Sequence, residues 1–202
     1  MKFFKFVLFF SVVMSCKEPT KEPFASFNGF IHQNINETLK TKIDKEEYLS
    51  RLFDFDQSLR NPDIKAAILK KNEYNTDSNE YQSYLKEMIR GDSIGFMLAK
   101  RYLQQYGYPK FETANYKTKS AIITVALHQD YSKQEVLFPY INEAYNTGKV
   151  EVNRFSFLVN RMYAFKFGER FEAKKGMTEK ENINRIVKAL DIIHLKKGSK
   201  FD

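Results

Sequence analysis

Apolar side chains return at every third or fourth position along most of this chain, with little strand-like alternation between them. That spacing is the period of an α-helix, and it leaves few other folds open. Leu49, Leu52, Phe53 and Leu59 fall near one face of a segment that opens on Asp44-Lys45-Glu46-Glu47, a capping-box pattern, and extends to Arg60. Asn61-Pro62 interrupts, and residues 64–69 form a short helix started by the proline. Asp77-Ser78-Asn79-Glu80 is a second capping signal, followed at helical spacing by Tyr81, Tyr84, Leu85, Met88 and Ile89. Gly91 is expected to break this helix. Asp92 then caps a fresh one through Ile94, Met97, Leu98, Tyr102 and Leu103, stopped by Gly107 and Pro109.

Residues 121–127 are the most apolar run after the N-terminal segment, and with no partner strand in the pattern they read as the central helix of the core. Ser132-Lys133-Gln134-Glu135 is expected to cap the next helix, which ends at Gly148 and contains Pro139, a residue that kinks a helix interior. Val152 to Phe167 is a strongly apolar helix closed by Gly168. Thr178-Glu179-Lys180-Glu181 caps the last, running through Ile183, Ile186, Val187, Leu190 and Ile193. The expected fold is all-α, about seven helices in one domain over residues 24–202, with no visible repeat period.

The N-terminus carries a different signal. Lys2 and Lys5 precede an apolar run over residues 6–14, about half the length a membrane-spanning helix needs. The run ends in Val13-Met14-Ser15-Cys16, and Cys16 is the single cysteine. This arrangement resembles the lipobox of bacterial lipoproteins, whose signal peptide is cleaved before a diacylated cysteine. The resemblance implies a signal over residues 1–15 and palmitate-like acyl chains on Cys16, which anchor far more firmly than one chain does. Lys17-Glu18-Pro19-Thr20-Lys21-Glu22-Pro23 then reads as a stiff, solvated tether. Lys17 stands where an inner-membrane retention signal would place aspartate, and the Lys-Glu pair is similar to surface-export tags of some lipoproteins. The expected location is the outer membrane, facing either side.

Lys2 and Lys5 leave with the signal, so the formal excess of +8 falls to +6. The lysines are interspersed with glutamates and show no aromatic–basic repeat. Export and this scatter argue against a nucleic-acid partner and for attraction to an anionic membrane surface. With Cys16 lipidated, no thiol is left for disulfides or catalysis. His32, His128 and His194 stand far apart, which gives no zinc set and no expected cofactor.

Four polar signals remain. Asp56-Gln57-x-x-Arg60 puts an acid and a base four apart, which suits a plain surface ion pair or part of a site. In Tyr106-Gly107-Tyr108-Pro109 the tyrosines either line a pocket or pin a turn onto the core. In His128-Gln129-Asp130, His128 ends an apolar helix where the dipole favours a protonated ring. It pairs with Asp130 only if the chain turns there; otherwise it caps its own helix while Asp130 or Ser132 starts the next. Arg161 lies between Phe157 and Phe165 at four-residue steps, on what reads as the aromatic row of a core helix. There a guanidinium is stacked, paired with Asp56 or Asp130, or left to hold an anion.

Taken in order, these motifs resemble an uncharacterised family of all-helical bacterial domains. That family shows Asp-Gln-x-x-Arg, a Tyr-Gly-Trp-Pro-like turn, Gln-His-Ala-Asp, and later Asp-Arg followed by Tyr-Gly-Thr-Gln. The likeness covers roughly residues 50–165, including Gln134, Pro139 and Gly148. Its function is unknown, so it implies candidate positions and no reaction. Asn160-Arg161 replaces Asp-Arg, and the Tyr-Gly-Thr-Gln segment is missing beyond Gly168. If those groups are catalytic in relatives, this chain binds without turnover.

Three readings follow. The first is a lipid-anchored envelope module binding an anionic ligand, glycan or protein through Arg60, Arg161, Gln57, Tyr106 and Tyr108. The second is a hydrolase-like enzyme with His128 as base, Asp130 or Asp56 orienting it, and Arg60 or Arg161 holding an anion. The third is a structural lipoprotein without a ligand.

Overall fold

A computed structural model describes residues 38–110 and 115–192. The expectations placed on the signal, Cys16, the tether, His32, Ile193 and His194 lie outside the described residues. Seven helices occupy those described: α1 (Lys42–Ser58), α2 (Pro62–Lys71), α3 (Asn79–Tyr106), α4 (Tyr116–Leu127), α5 (Tyr131–Asn146), α6 (Val152–Phe167) and α7 (Glu179–Leu190). The fold is all-α, and none of these helices is long and apolar enough to cross a membrane.

Local chemistry sets most of the helix ends. The Thr41 hydroxyl accepts from the Asp44 N–H at 3.1 Å, while the Asp44 carboxylate accepts from the Thr41 N–H at 2.9 Å. The capping box of α1 therefore begins at Thr41, with Asp44 as its third helical residue rather than its opener. Ser78 caps α3, and Thr178 with Glu181 forms a second box on α7. Gly107 ends α3 at φ +70°, a backbone conformation that side chains with a Cβ rarely adopt. Pro139 stands inside α5, which runs on through it to Asn146.

The expected break at Gly91 does not occur, and α3 is continuous for 28 residues. The glycine serves a packing contact. A Cβ at Gly91 would come within 2.4 Å of Leu59 Cδ2, so any larger residue there would force the buried Leu59 side chain, at the end of α1, to move. Gly91, Gly95 and Ala99 recur every four residues and are all buried, a small-residue stripe along the crossing.

The core runs through most of the described chain. α1 lies along α4 in the most extensive helix contact, and α6 against α7 in the next. Residues 121–127 are helical, as expected; Ala121, Ile122, Ile123, Val125 and Ala126 are all at or below 1% exposure. Phe155 of α6 stacks on Tyr145 of α5 at 4.1 Å between centroids, and Tyr48 of α1 stacks on Tyr102 of α3 at 5.6 Å.

Candidate functional site

Asp56 is the one carboxylate among the fully buried described residues, at 2% exposure. Burying a carboxylate demands partners, and it has three. Its Oδ1 accepts from His128 Nδ1 at 2.9 Å and lies 3.5 Å from Arg60 Nη1, while its Oδ2 accepts from Gln57 Nε2 at 2.9 Å. The Arg60 guanidinium also donates to the Asp56 backbone carbonyl at 3.1 Å and, through Nη2, to Asp92 Oδ1 at 2.5 Å. Arg60 thus bridges two carboxylates, one from α1 and one from α3. Tyr84 closes the far side by donating its hydroxyl to Leu59 O at 3.1 Å.

Asp92 is the member of this cluster that the sequence reading misplaced. Treating Gly91 as a helix breaker turned Asp92 into a cap, whereas in the continuous helix it faces Arg60. The four-residue recurrence of Gly91, Gly95 and Ala99 was the available signal. Burial pushes the Asp92 carboxyl above its ordinary value, against the opposing hydrogen bond and charge of Arg60. Beneath the cluster, Gln129 Nε2 donates to Asp92 O and Val125 O, both at 3.2 Å, and Gln134 Nε2 donates to Ala126 O at 3.1 Å. The Oε1 atoms of both glutamines are buried without a hydrogen-bond partner among the described residues.

His128 is the C-cap residue of α4, with about a quarter of its side chain exposed. With Nδ1–H donated to Asp56, the ring's Nε2 lone pair is left as the reactive position, the tautomer being assigned from the contact. An acid-oriented imidazole can act as a general base. No hydroxyl group hydrogen-bonds the ring among the described residues. No set of three side chains suited to a metal is found there either.

Asp130, the alternative partner for His128, is used elsewhere. It is the N-cap of α5, accepting from Lys133 N–H at 3.0 Å and from the Ser132 hydroxyl at 2.7 Å, with Lys133 Nζ 2.9 Å away. Desolvation pushes its carboxyl up, but the Ser132 and Lys133 hydrogen bonds outweigh it and hold the group down at about 2. Asp130→Ala is expected to cost about 1 kcal/mol of unfolding free energy at neutral pH. A lowered folded pKa means this contribution exists above the unfolded value of 3.8 and disappears as pH falls through about 2. Urea unfolding of both chains at neutral and acid pH checks it: the two curves should converge in acid.

Arg161 does not join the cluster. It is exposed on α6, its guanidinium 4.8 Å over the Phe165 ring, and that row faces solvent: Phe157 is 62% and Phe165 47% exposed. The core side of α6 is instead Phe155, Leu158, Val159 and Met162.

Tyr106, the last residue of α3, and Tyr108 just beyond it sit apart again, Tyr106 about 21 Å along the helix from mid-helix Asp92 at 1.5 Å per residue. The Tyr106 hydroxyl accepts from Leu39 N–H at 2.8 Å, and Lys45 Nζ lies 4.5 Å over its ring. Two adjoining hollows of about 300 and 470 Å³ share Tyr108, Pro109, Lys110 and Lys149 as a common wall. Lys45 and Glu143 line the first, Lys119 and Glu151 the second. Burial holds the Tyr108 phenol well above its ordinary range. Asp56, Gln57, Arg60 and His128 therefore form one cluster, the tyrosines a separate cleft, and Arg161 an open face.

Comparison with protein-family models, with curated proteins and with solved structures found no match to this chain.

Proposed function

We propose that the chain is a lipid-anchored module of the cell envelope, held to the outer membrane through Cys16, that binds an anionic ligand in the lysine-rimmed cleft beside Tyr106 and Tyr108. The observation that carries this reading is where positive charge stands uncommitted. Arg60 is taken up between Asp56 and Asp92. Lys110 and Lys149 line the cleft with no carboxylate within ion-pair distance among the described residues, and Lys45 lies over the Tyr106 ring beside them. Tyrosine rings and ammonium groups together suit a carboxylated or phosphorylated ligand, acidic glycans included.

Calorimetric titration with inorganic phosphate and with acidic oligosaccharides tests the cleft. At least one probe should bind, and Lys110→Glu with Lys149→Glu should weaken it by on the order of tenfold or more, a loss of about 1.4 kcal/mol. Absence of binding by every probe, or binding indifferent to both substitutions, overturns the reading and leaves a structural lipoprotein.

A second reading is supported by the 2.9 Å His128–Asp56 contact. In it the chain is hydrolase-like, with His128 Nε2 as general base and Asp56 as its orienting acid. Turnover of an ester or phosphoester substrate that is lost in His128→Ala would establish it.

A further inference from the structure

α6 carries a second apolar stripe that is largely exposed to solvent. Phe157, Arg161 and Phe165 follow one another at four-residue steps on its outer side, with the two rings 62% and 47% exposed. With Val152 and Phe167, elsewhere on its surface, four of the ten exposed large hydrophobic residues among those described belong to this one helix. The helix contains Arg154, Arg161 and Lys166 and no aspartate or glutamate. Arg154 is tied to Glu151 and Ser120, and Lys166 to the Leu190 carbonyl. Arg161 remains as the cation of the outer face, stacked on Phe165. Glu169 and Arg170, both exposed, follow just beyond the helix and offset one another in charge.

Exposed phenylalanines interleaved with arginine, on a helix without acidic residues, are the composition of a face that lies in a membrane interface. The rings enter the acyl boundary and the guanidinium meets anionic headgroups. We infer that the outer face of α6 rests on an anionic lipid surface, holding the domain flat against the bilayer. The formal charge, +8 for the whole sequence and +6 without Lys2 and Lys5, favours the same approach. The inference does not depend on the cleft's ligand, and it uses the Cys16 anchor only to bring the domain near a membrane.

The sequence contains no tryptophan, so a single introduced one reports its own surroundings. Phe157→Trp places the reporter on the face, and Tyr74→Trp, at a residue 72% exposed, places it away from α6. Each full-length chain is mixed with phosphatidylglycerol or phosphatidylcholine vesicles containing brominated lipid. Flotation reads attachment by any route, while indole emission and bromine quenching read the labelled position alone. In the Phe157→Trp chain the emission should shift to the blue and be quenched on phosphatidylglycerol, while that of the Tyr74→Trp chain stays unchanged. Adding Arg161→Glu to Phe157→Trp should weaken this response by on the order of tenfold. An unquenched indole in the Phe157→Trp chain on phosphatidylglycerol overturns the inference, whether or not the chain floats. So does a blue shift that grows with protein concentration without vesicles, which assigns the face to a second copy of the chain. Mass measurement of Cys16 reads the anchor separately, and the ligand titration reads the cleft.

Discussion

Arg60→Met is expected to lower the unfolding free energy by about 3 kcal/mol at neutral pH. Breaking a buried ion pair by removing one partner costs ~3–5 kcal/mol, and the low end applies because part of the guanidinium reaches solvent. Methionine fills most of the volume, so the loss is electrostatic. Asp56 and Asp92 would face one another without the guanidinium between them, and Asp56 would keep only its hydrogen bonds to His128 and Gln57. Arg60→Lys should recover only part of the loss, because an ammonium cannot span both carboxylates as the guanidinium fork does. Arg161→Met should stay within about 0.5 kcal/mol of the parent chain, since that side chain is exposed on α6. The deficit of Arg60→Met should also depend on pH. The folded pKa of Asp92 is raised, so its protonation favours the fold: the contribution is present below the ordinary carboxylate value and lost as pH rises through the raised one. Arg60 is the group that opposes this rise, and removing it sends Asp92 higher still. The difference between the two chains should therefore be largest near neutrality and shrink as pH falls through the range where Asp92 protonates. Denaturant unfolding across that range measures it; a deficit that is flat with pH would refute the assignment of Arg60 as the bridge.

Phe155→Ala should cost about 3–5 kcal/mol, while Phe157→Ala, two residues along the same helix, should cost less than about 0.5 kcal/mol. Phe155 is fully buried, stacked on Tyr145 and 6.1 Å from Phe138, so its removal opens a cavity between α5 and α6. Phe157 is mostly in solvent and contributes little to the fold. Thermal or denaturant unfolding of the two variants side by side separates them. Comparable losses would mean that α6 is rotated about its axis and buries the other stripe. The same contrast underlies the proposed membrane face: a residue that costs nothing to remove from the fold is available for an external partner.

These two experiments fall where reading the sequence and reading the structure part company. Helices and most of their ends were legible because the interactions that set them are local. Thr178 reaches Glu181 three residues on, Pro62 starts α2 and Gly168 closes α6 within a turn of chain. Thr41 was overlooked in favour of Asp44 because both can cap, and only the position of the first turn tells them apart. The all-α class followed from the spacing of apolar residues, as did the burial of residues 121–127.

What the sequence could not determine is which of two apolar stripes on α6 faces inward, and which polar residues meet. Phe155-Leu158-Val159-Met162 and Phe157-Arg161-Phe165 both repeat at helical spacing. The first is buried because α5 and α7 offer it volume to fill, a property of neighbours distant in the chain. Asp56 and His128 are 72 residues apart, and Arg60 and Asp92 are 32 apart. The first meeting depends on α1 lying along α4, the second on α3 crossing α1 where Gly91 meets Leu59. The sequence by itself therefore determined the helices, through hydrogen bonds and caps that span a few residues. The tertiary structure alone decided the buried charge cluster, the lysine-rimmed cleft and the open face of α6, because each depends on the distances between helices.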